Sequence, residues 1–325
     1  MYPDWQNWDF SRVLLTTTAV IGSASLISYA LKIYRDKRIR LCPTRPSLHG
    51  KVYLITGGSS GIGFELAKEL AKLGATTVIG SPSAETGMQA VQRIKKSCSD
   101  EEVPVHWLEL HLDSFTDIYC FAKAFAEQFD TLDCLVNNAG IMHAPFRLTK
   151  DGVESHFAVN HLGHAYLTQL LANMLATTGL AGQPSRIVFT SSGKAKRAYD
   201  QSKLAGVLYA RSLAREYHDS NAPVDVYLAR PGFVRDTNLG RNVPALLRLL
   251  AKPLMWFFGI TAKQAVQNLL YCCTAKLLSG AMYNNCEICP YDYNLVNEPN
   301  EAVITDYTRL LISDLIKKNH LEGYL

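Results

Sequence analysis

The chain has 325 residues, of which 48% are apolar and 19% charged. This composition excludes a disordered protein, a collagen-like repeat and a disulfide-stapled miniprotein. The formal net charge is +4, and one short basic run, KIYRDKRIR at residues 32–40, carries that whole excess. A nucleic-acid-binding domain spreads Lys and Arg over a folded face, so we expect no nucleic-acid partner.

An uncharged stretch of 19 residues, Val13–Leu31, precedes the basic run. As a helix it would be about 28 Å long, close to the ~30 Å hydrocarbon core of a bilayer, although six Thr and Ser residues dilute its apolar character. A cleaved signal peptide and a soluble core helix are the alternatives. The basic residues follow the stretch, and Trp5, Trp8 and Tyr34 suit the aromatic belt of a membrane interface. We therefore predict an uncleaved, single-pass transmembrane helix within an anchor segment, 1–46.

The basic run also predicts an orientation. Because positive residues stay on the cytosolic side, we expect the domain at 47–325 to face the cytosol. The endoplasmic reticulum is the default membrane, and a lipid droplet or mitochondrial surface remains open. The eight cysteines suit a reducing compartment, and Cys286 and Cys289 lack the second ligand pair of a zinc site. We predict no metal site.

Short apolar runs alternate with amphipathic runs after residue 51. The apolar runs predict strands at 52–56, 76–80, 105–110, 134–140 with its turn, 186–192 and 224–232. The amphipathic runs predict helices at 62–73, 84–97, 114–129, 151–177 and 199–217. Apolar strands separated by helices indicate a parallel sheet covered on both faces. The predicted fold class is α/β, a doubly wound parallel sheet of the Rossmann type in a single domain.

A glycine-rich turn, Thr56-Gly57-Gly58-Ser59-Ser60-Gly61-Ile62-Gly63, follows the first predicted strand. Glycines allow the backbone to approach a pyrophosphate, and the next helix directs its N-terminal amides at the anion. The spacing departs from the general G-x-G-x-x-G pattern. A nucleotide-binding turn and a simple tight turn are therefore both open on this motif alone.

Tyr199 and Lys203 stand at positions i and i+4 and so share one face of a predicted helix. A free tyrosine has a pKa near 10, and a nearby ammonium favours the phenolate and lowers that pKa. This pair predicts a general acid or base, although Tyr-x-x-x-Lys is also common by chance. His161 and His164 stand three residues apart on a predicted helix without a third ligand, so we assign them no metal role.

The order of these motifs resembles the short-chain dehydrogenase/reductase family over about residues 48–290. The resemblance rests on the glycine turn, on Tyr199 with Lys203, and on four further motifs: Asn137-Asn138-Ala139-Gly140, Asn160, Ser191-Ser192 and Arg230-Pro231-Gly232. The phrases LTKDGVESHFAVNHLGH and SKLAGVLYA, together with the N-terminal stretch, are most similar to the retinol-dehydrogenase-like branch.

The resemblance implies a hydride transfer between NADP or NAD and an alcohol or carbonyl on an apolar substrate of the retinoid, steroid or lipid-aldehyde class. It implies that Tyr199 passes the proton, Lys203 binds the nicotinamide ribose, Ser192 bonds the substrate oxygen and Asn160 positions a water. The cofactor-binding residues it implies are Thr56, Gly57, Ser59, Ser60, Gly61, Ile62, Gly63, Ser81, Asn138, Ala139, Gly140, Tyr199, Lys203, Pro231, Gly232, Val234 and Thr237.

The sequence also departs from the family pattern. Only six residues, 193–198, separate Ser192 from Tyr199, so a tethered nucleotide-binding protein with little turnover is the alternative function. Pro82 stands where the branch usually has an arginine for the 2′-phosphate of NADP, and no acidic residue replaces it for NAD. Ser81 and Ser83 favour NADP.

An apolar run at 244–260, PALLRLLAKPLMWFFGI, has two basic residues on one face. It predicts either a lid over an apolar substrate that also touches the membrane or an ordinary buried helix. Homodimerisation is left open.

Overall fold

A computed structural model describes residues 10–98, 102–192, 198–237, 245–291 and 295–321 of the protein. Its strands are β1 (Val52–Thr56), β2 (Thr76–Ser81), β3 (Val105–Glu109), β4 (Cys134–Asn137), β5 (Ser185–Thr190), β6 (Val224–Ala229), β7 (Met282–Asn284) and β8 (Glu287–Ile288). Its helices are α1 (Phe10–Asp36), α2 (Gly61–Lys72), α3 (Ala84–Lys96), α4 (Phe115–Gln128), α5 (Ser155–Phe157), α6 (Gly163–Leu170), α7 (Ala172–Thr178), α8 (Ala198–Asp219), α9 (Ala245–Phe258), α10 (Ala262–Thr274) and α11 (Glu298–Lys318).

The strands form one sheet in the order β3-β2-β1-β4-β5-β6-β7-β8, parallel except for the last pair. The doubly wound parallel sheet of the sequence analysis is therefore confirmed. The helix predicted at 151–177 is instead broken into α5, α6 and α7, with a π-helical turn at Ala158–Leu162. Such turns are frequent at functional sites, and this one contains Asn160.

Each face of the sheet has its own apolar core. On one side Leu54 and Val78 join a cluster that includes Phe125 and Tyr166 of the covering helices. On the other side Ile55 and its neighbours pack against α2 and α10. Strands β1, β2, β4, β5 and β6 are largely buried on both faces, which is why they are continuous apolar runs in the sequence.

The order in which strands are added to the sheet reverses at β1, which lies between β2 and β4. Strand order runs outward in one direction from β1 to β3 and in the other from β4 to β7. In open α/β sheets the ligand crevice forms at such a point, beyond the carboxyl ends of the strands. The topology therefore places the turns after β1 and β4 beside one crevice.

Helix α1 covers the uncharged stretch for which we predicted a transmembrane helix. Among the described residues, no helix combines the length and the apolar character that a membrane span requires. The transmembrane assignment is therefore not supported. The physical reason lies in the Thr and Ser residues of the stretch, whose hydroxyl groups lower its mean hydropathy.

The linker after α1 is fixed to the domain by hydrogen bonds. The amide of Arg40 donates to Asn285 Oδ1 at 2.7 Å, and Asn285 Nδ2 donates to the carbonyl of Arg38 at 3.0 Å. The amide of Cys42 donates to Gln267 Oε1 at 3.0 Å. These contacts attach the base of α1 to the β7–β8 turn and to α10.

Helix α11, which the sequence analysis did not predict, is attached to α8 by a buried carboxylate. Glu301 is 0% exposed. Arg211 Nε donates to its Oε1 at 2.6 Å, and Arg215 bonds its other oxygen. Two arginines on one side of α8 thus neutralise one buried charge.

We expect Glu301→Gln to lower the free energy of unfolding by about 1.5–3 kcal/mol, the usual contribution of a hydrogen bond to a charged group. Urea denaturation measures the effect. Glu298→Gln is the matched control, because Glu298 pairs with the same Arg215 but has a side chain that is 79% exposed. The control should change stability by less than about 0.5 kcal/mol. Equal effects of both variants would contradict the role of the buried pair.

Candidate active site

The glycine turn lies between β1 and α2, and its backbone is shaped so that a ligand can approach it closely. Gly57 has a φ of 68°, in the left-handed region that favours glycine. A Cβ atom on Gly63 would lie 2.5 Å from the carbonyl oxygen of Gly57 and 2.6 Å from Asn138 Nδ2. Only glycine fits at position 63, so the turn can fold tightly over the start of α2.

The N-terminus of α2 has free donors. Ser60 is its N-cap residue, yet within the described chain its side chain makes no capping hydrogen bond. Helices α3 and α4 are capped in this way by Ser83 and Ser114. The first amides of α2 are therefore available to an anion. This cradle fits the pyrophosphate of a dinucleotide, with Ser59, Ser60, Gly61 and Ile62 at its rim.

Thr56 joins this turn to the turn after β4. Its Oγ1 accepts from the amides of Asn138 at 2.9 Å and Ala139 at 3.0 Å. Asn138 Nδ2 in return donates to the carbonyl oxygen of Thr56 at 2.9 Å. Two predicted motifs that are 80 residues apart in sequence thus form one wall of the crevice.

Asn160 and Lys203 border the same wall at Gly140. A Cβ atom on Gly140 would lie 3.1 Å from Asn160 Oδ1 and 3.5 Å from Lys203 Nζ. Asn160 Oδ1 accepts from the amide of Ile141 at 2.8 Å, and its Nδ2 donates to the Ile141 carbonyl and to Ser202 Oγ. Both amide protons of Asn160 are used by the protein, so its side chain has no proton left to donate to the water that the resemblance implied.

The structure brings Ser192 and Tyr199 together despite the short loop between them. The two side chains share a hydrogen bond. Burial raises the pKa of Tyr199 above its usual 10, and this hydrogen bond with Ser192 lowers it. The sequence predicts that Lys203 lowers this pKa, whereas in the structure the contact that lowers it is Ser192. Residues 193–197 lie outside the described residues.

Lys203 is almost completely buried at the end of β5. Its Nζ donates to the carbonyl oxygen of Thr190 at 3.1 Å. Burial lowers the pKa of Lys203 to about 8, so the ammonium gives up its proton more readily than a surface lysine does. The structure therefore brings the four predicted catalytic residues together in two pairs, Asn160 with Lys203 beside Gly140 and Ser192 with Tyr199.

The segment after β6 completes the cofactor side. Pro231 and Gly232 begin it, and Val234 forms a parallel bridge with Ile260. The methyl group of Thr237 lies 3.2 Å from the position of a Cβ on Gly61. Thr237 is therefore beside the first turn of α2, although it stands one place later in sequence than the family pattern.

Ser81 is placed differently from the prediction. It is 2% exposed, and its Oγ accepts a hydrogen bond from Trp107 Nε1 at 3.0 Å. The side chain belongs to the core at the end of β2, so a contact with the 2′ position of a cofactor is not supported. Ser83, which caps α3, is more exposed.

His164 is the residue of this network that sequence reasoning missed. It is 1% exposed, and its Nε2 lies 2.9 Å from Thr56 Oγ1. Its Nδ1 lies 3.4 Å from the carbonyl oxygen of Asn160. The spacing of four residues from Asn160 was the available signal, but the Thr56 contact is formed only by the fold.

Comparison with known proteins agrees with this geometry. A family model for short chain dehydrogenases matches residues 51–246, which is more than half of the chain. The protein therefore belongs to the short-chain dehydrogenase family, and its fold and relatives define an NAD(P)-dependent dehydrogenase acting on alcohols or carbonyls.

Two curated relatives and one solved structure illustrate this similarity. Retinol dehydrogenase 14 of Mus musculus is 34% identical, with 74% of this chain and 79% of the relative covered. Polyprenol dehydrogenase of Homo sapiens is 32% identical, with 85% and 89% covered. The RhlG/NADP active-site complex of Pseudomonas aeruginosa has a TM-score of 0.61 at 25% identity, with 73% and 94% covered. The resemblance to the retinol-dehydrogenase-like branch is confirmed.

We expect Gly63→Ala to weaken NADPH binding by roughly ten- to a hundredfold, because the added methyl group must displace the Gly57 carbonyl at a cost of about 1–3 kcal/mol. Fluorescence titration of the full chain measures the dissociation constant. Gly206→Ala in α8 is the control, because a Cβ there meets nothing within 4 Å. Binding that is equally strong in both variants would contradict the cradle.

Proposed function

We propose that this protein interconverts an apolar alcohol and its carbonyl compound with NADP(H), at the corner formed by Tyr199, Ser192 and Lys203. The observation that carries the proposal is the hydrogen bond between Tyr199 and Ser192 at the mouth of a dinucleotide cradle. The substrate class we propose is a retinoid, steroid or long-chain lipid alcohol or aldehyde, in line with the retinol and polyprenol dehydrogenases among the relatives.

The proposed chemistry assigns one task to each residue. A bound nicotinamide supplies or accepts the hydride. The Tyr199 hydroxyl gives a proton to the substrate oxygen in reduction and takes it back in oxidation. Ser192 holds that oxygen and keeps the Tyr199 proton directed at it. Lys203, with its pKa near 8, contributes positive charge beside the cofactor ribose.

We propose NADP rather than NAD because the sequence after β2, Ser81-Pro82-Ser83, presents no carboxylate to a 2′-hydroxyl. A 2′-phosphate needs hydrogen-bond donors, and the partly exposed Ser83 at the start of α3 can supply one. The NADP complex of the structural relative supports a nicotinamide cofactor, whereas the choice of NADP over NAD rests on the residues after β2.

We expect Tyr199→Phe to lower turnover by about 10²–10⁴-fold and to leave NADPH binding within about threefold, because the ring stays while the proton donor is lost. Ser192→Ala should cost about 2.7–4 kcal/mol of transition-state stabilisation. The assay uses the full chain in detergent with NADPH or NADH and a panel of retinal, a ketosteroid and medium-chain aldehydes.

Tyr217→Phe, in the same helix α8 but away from the crevice, is the control and should keep full turnover. A Tyr199→Phe variant with wild-type turnover would exclude the mechanism. Tighter binding of NADH than of NADPH would exclude the proposed cofactor choice, and would leave the role of Tyr199 intact.

We also propose that α1 and α9 together attach the protein to the cytosolic side of an anionic membrane such as the endoplasmic reticulum. The exposure of the α9 side chains supports this proposal over the alternative of an ordinary buried helix at 244–260. The most exposed members of α9 are Leu246, Leu247, Leu249, Leu250, Leu254 and Phe258, all above 55%.

The two helices meet in an aromatic and basic junction. Tyr29 of α1 stacks on Trp256 of α9 with ring centroids 6.3 Å apart, and Lys32 Nζ lies 5.2 Å over the same Trp256 ring. Arg35 bonds the carbonyl oxygen of Phe257. Aromatic rings beside Lys and Arg are typical of the headgroup level of a bilayer. Helix α9 itself carries Arg248 and Lys252 and no acidic residue, which favours anionic headgroups.

We expect the triple variant Leu246→Ser, Leu250→Ser, Leu254→Ser to bind vesicles of phosphatidylcholine and phosphatidylserine at least about tenfold more weakly, because three exposed leucines on one face of α9 no longer enter the bilayer. Flotation with the vesicles measures the bound fraction. The matched control changes Leu180, Leu278 and Leu310 to Ser, which are 64%, 66% and 67% exposed elsewhere.

The control triple variant should bind like the wild type. Equal binding of the two triple variants would exclude α9 from the membrane contact. Binding of the wild type that does not depend on phosphatidylserine would contradict the proposed role of Arg248 and Lys252.

A further inference from the structure

The proton positions around Thr56 follow from counting donors and acceptors. A threonine hydroxyl has two lone pairs and one proton, and the amides of Asn138 and Ala139 take both lone pairs. The proton must point to another neighbour. His164 Nε2 at 2.9 Å is closer than the carbonyl oxygen of Val136 at 3.3 Å. Nε2 is therefore the acceptor, and the imidazole carries its proton on Nδ1.

The Nδ1 proton of His164 then has one partner. The carbonyl oxygen of Asn160, one helical turn earlier, lies 3.4 Å away. The imidazole accepts from Thr56 in the cofactor turn through one nitrogen and donates to the Asn160 carbonyl, in the turn before its own helix, through the other. The imidazolium form of His164 does not fit here. Its protonated Nε2 would face the Thr56 hydroxyl, whose two lone pairs are already used by the amides of Asn138 and Ala139.

The network continues to the catalytic tyrosine. Asn160 Nδ2 donates to Ser202 Oγ at 3.0 Å, and Ser202 Oγ donates to the carbonyl oxygen of Tyr199 at 2.6 Å. Thr56, His164, Asn160, Ser202 and Tyr199 thus form one chain of hydrogen bonds from the cofactor cradle to the backbone of the proton donor. His164 is the link between the two halves.

We propose that neutral His164 is a positioning residue that fixes the distance between the cofactor turn and the catalytic residues Asn160 and Tyr199. It does not touch the reacting atoms. The predicted effect on kcat rests on the proposed function. The predicted proton positions on His164 do not depend on the substrate.

The surroundings keep His164 neutral. Burial lowers its pKa to about 3, and the Lys203 ammonium on α8 and His161 on its own helix act in the same direction. The imidazole is therefore uncharged throughout the physiological range, and its two nitrogens keep different roles.

Two near-isosteric substitutions of His164 each keep one of its hydrogen bonds, to Thr56 or to Asn160, and remove the other. A glutamine can place Oε1 near the position of Nε2 and keep the Thr56 bond, whereas an asparagine can place Nδ2 near Nδ1 and keep the Asn160 bond. We expect His164→Gln to hold the NADPH dissociation constant within about threefold and to lower kcat about tenfold or more. We expect His164→Asn to weaken NADPH binding about tenfold, the effect of about 1.4 kcal/mol.

His161→Gln is the matched control. His161 lies on the same stretch of helix, is also 1% exposed, and bonds Thr308 of α11 at 2.8 Å instead of the crevice. Thermal unfolding is measured for every variant, so that a loss of stability common to both histidines is recognised. If the His164 variants and His161→Gln change NADPH binding and kcat in the same way, the positioning role is excluded.

Nitrogen NMR of the full chain with ¹⁵N-histidine tests the proton positions without any turnover. The imidazole signals that are absent from the His164→Gln spectrum are those of His164. In the wild-type spectrum they should show a protonated Nδ1 and an unprotonated Nε2 from about pH 8 down to about pH 5. The opposite tautomer, or protonation in this range, would overturn the proposal. A wild-type protein that turns over none of the panel substrates, yet shows this tautomer and the split in NADPH binding, would contradict the proposed function and leave His164 in its role.

Discussion

The hydroxyl group of Thr56 is the contact on which the crevice depends. It stands at the end of the central strand β1 and receives two amides from the turn after β4. Its third contact is with His164 of α6, whose Nε2 lies 2.9 Å from the hydroxyl oxygen. One buried oxygen with all its bonding capacity used thus fixes three segments that are far apart in sequence. Buried polar groups in such a fully bonded state give a core its unique arrangement, and here they define where a dinucleotide can lie.

Burial sets the acid–base properties of the corner in opposing ways. It raises the pKa of Tyr199 because the phenolate loses water, and it lowers that of Lys203 because the ammonium loses water. The hydrogen bond from Ser192 acts against burial at Tyr199. The pKa of Tyr199 therefore depends on this contact more than on the length of the loop between the two residues. A shortened loop is compatible with this contact because Ser192 follows the end of β5 by two residues and Tyr199 lies in the first turn of α8.

The polar crevice and the apolar surface at α1 and α9 lie in different parts of the chain but are joined by its connections. The bridge between Val234 and Ile260 ties the segment after β6, which borders the cradle, to the end of α9.

The sequence determined the parallel sheet and the glycine turn, and it identified Asn160, Ser192, Tyr199 and Lys203 as candidate catalytic residues. Strands buried on both faces must be continuously apolar, and a backbone that touches a pyrophosphate must be glycine. The C-terminal elements α10, β7, β8 and α11 were not predicted, because their stability comes from docking, as with the buried Glu301. The fold alone decided that Ser81 is enclosed by Trp107, that Ser192 reaches Tyr199, and that His164 meets Thr56. Each of these is a contact between distant segments, and a pattern along one chain contains no distance across the sheet.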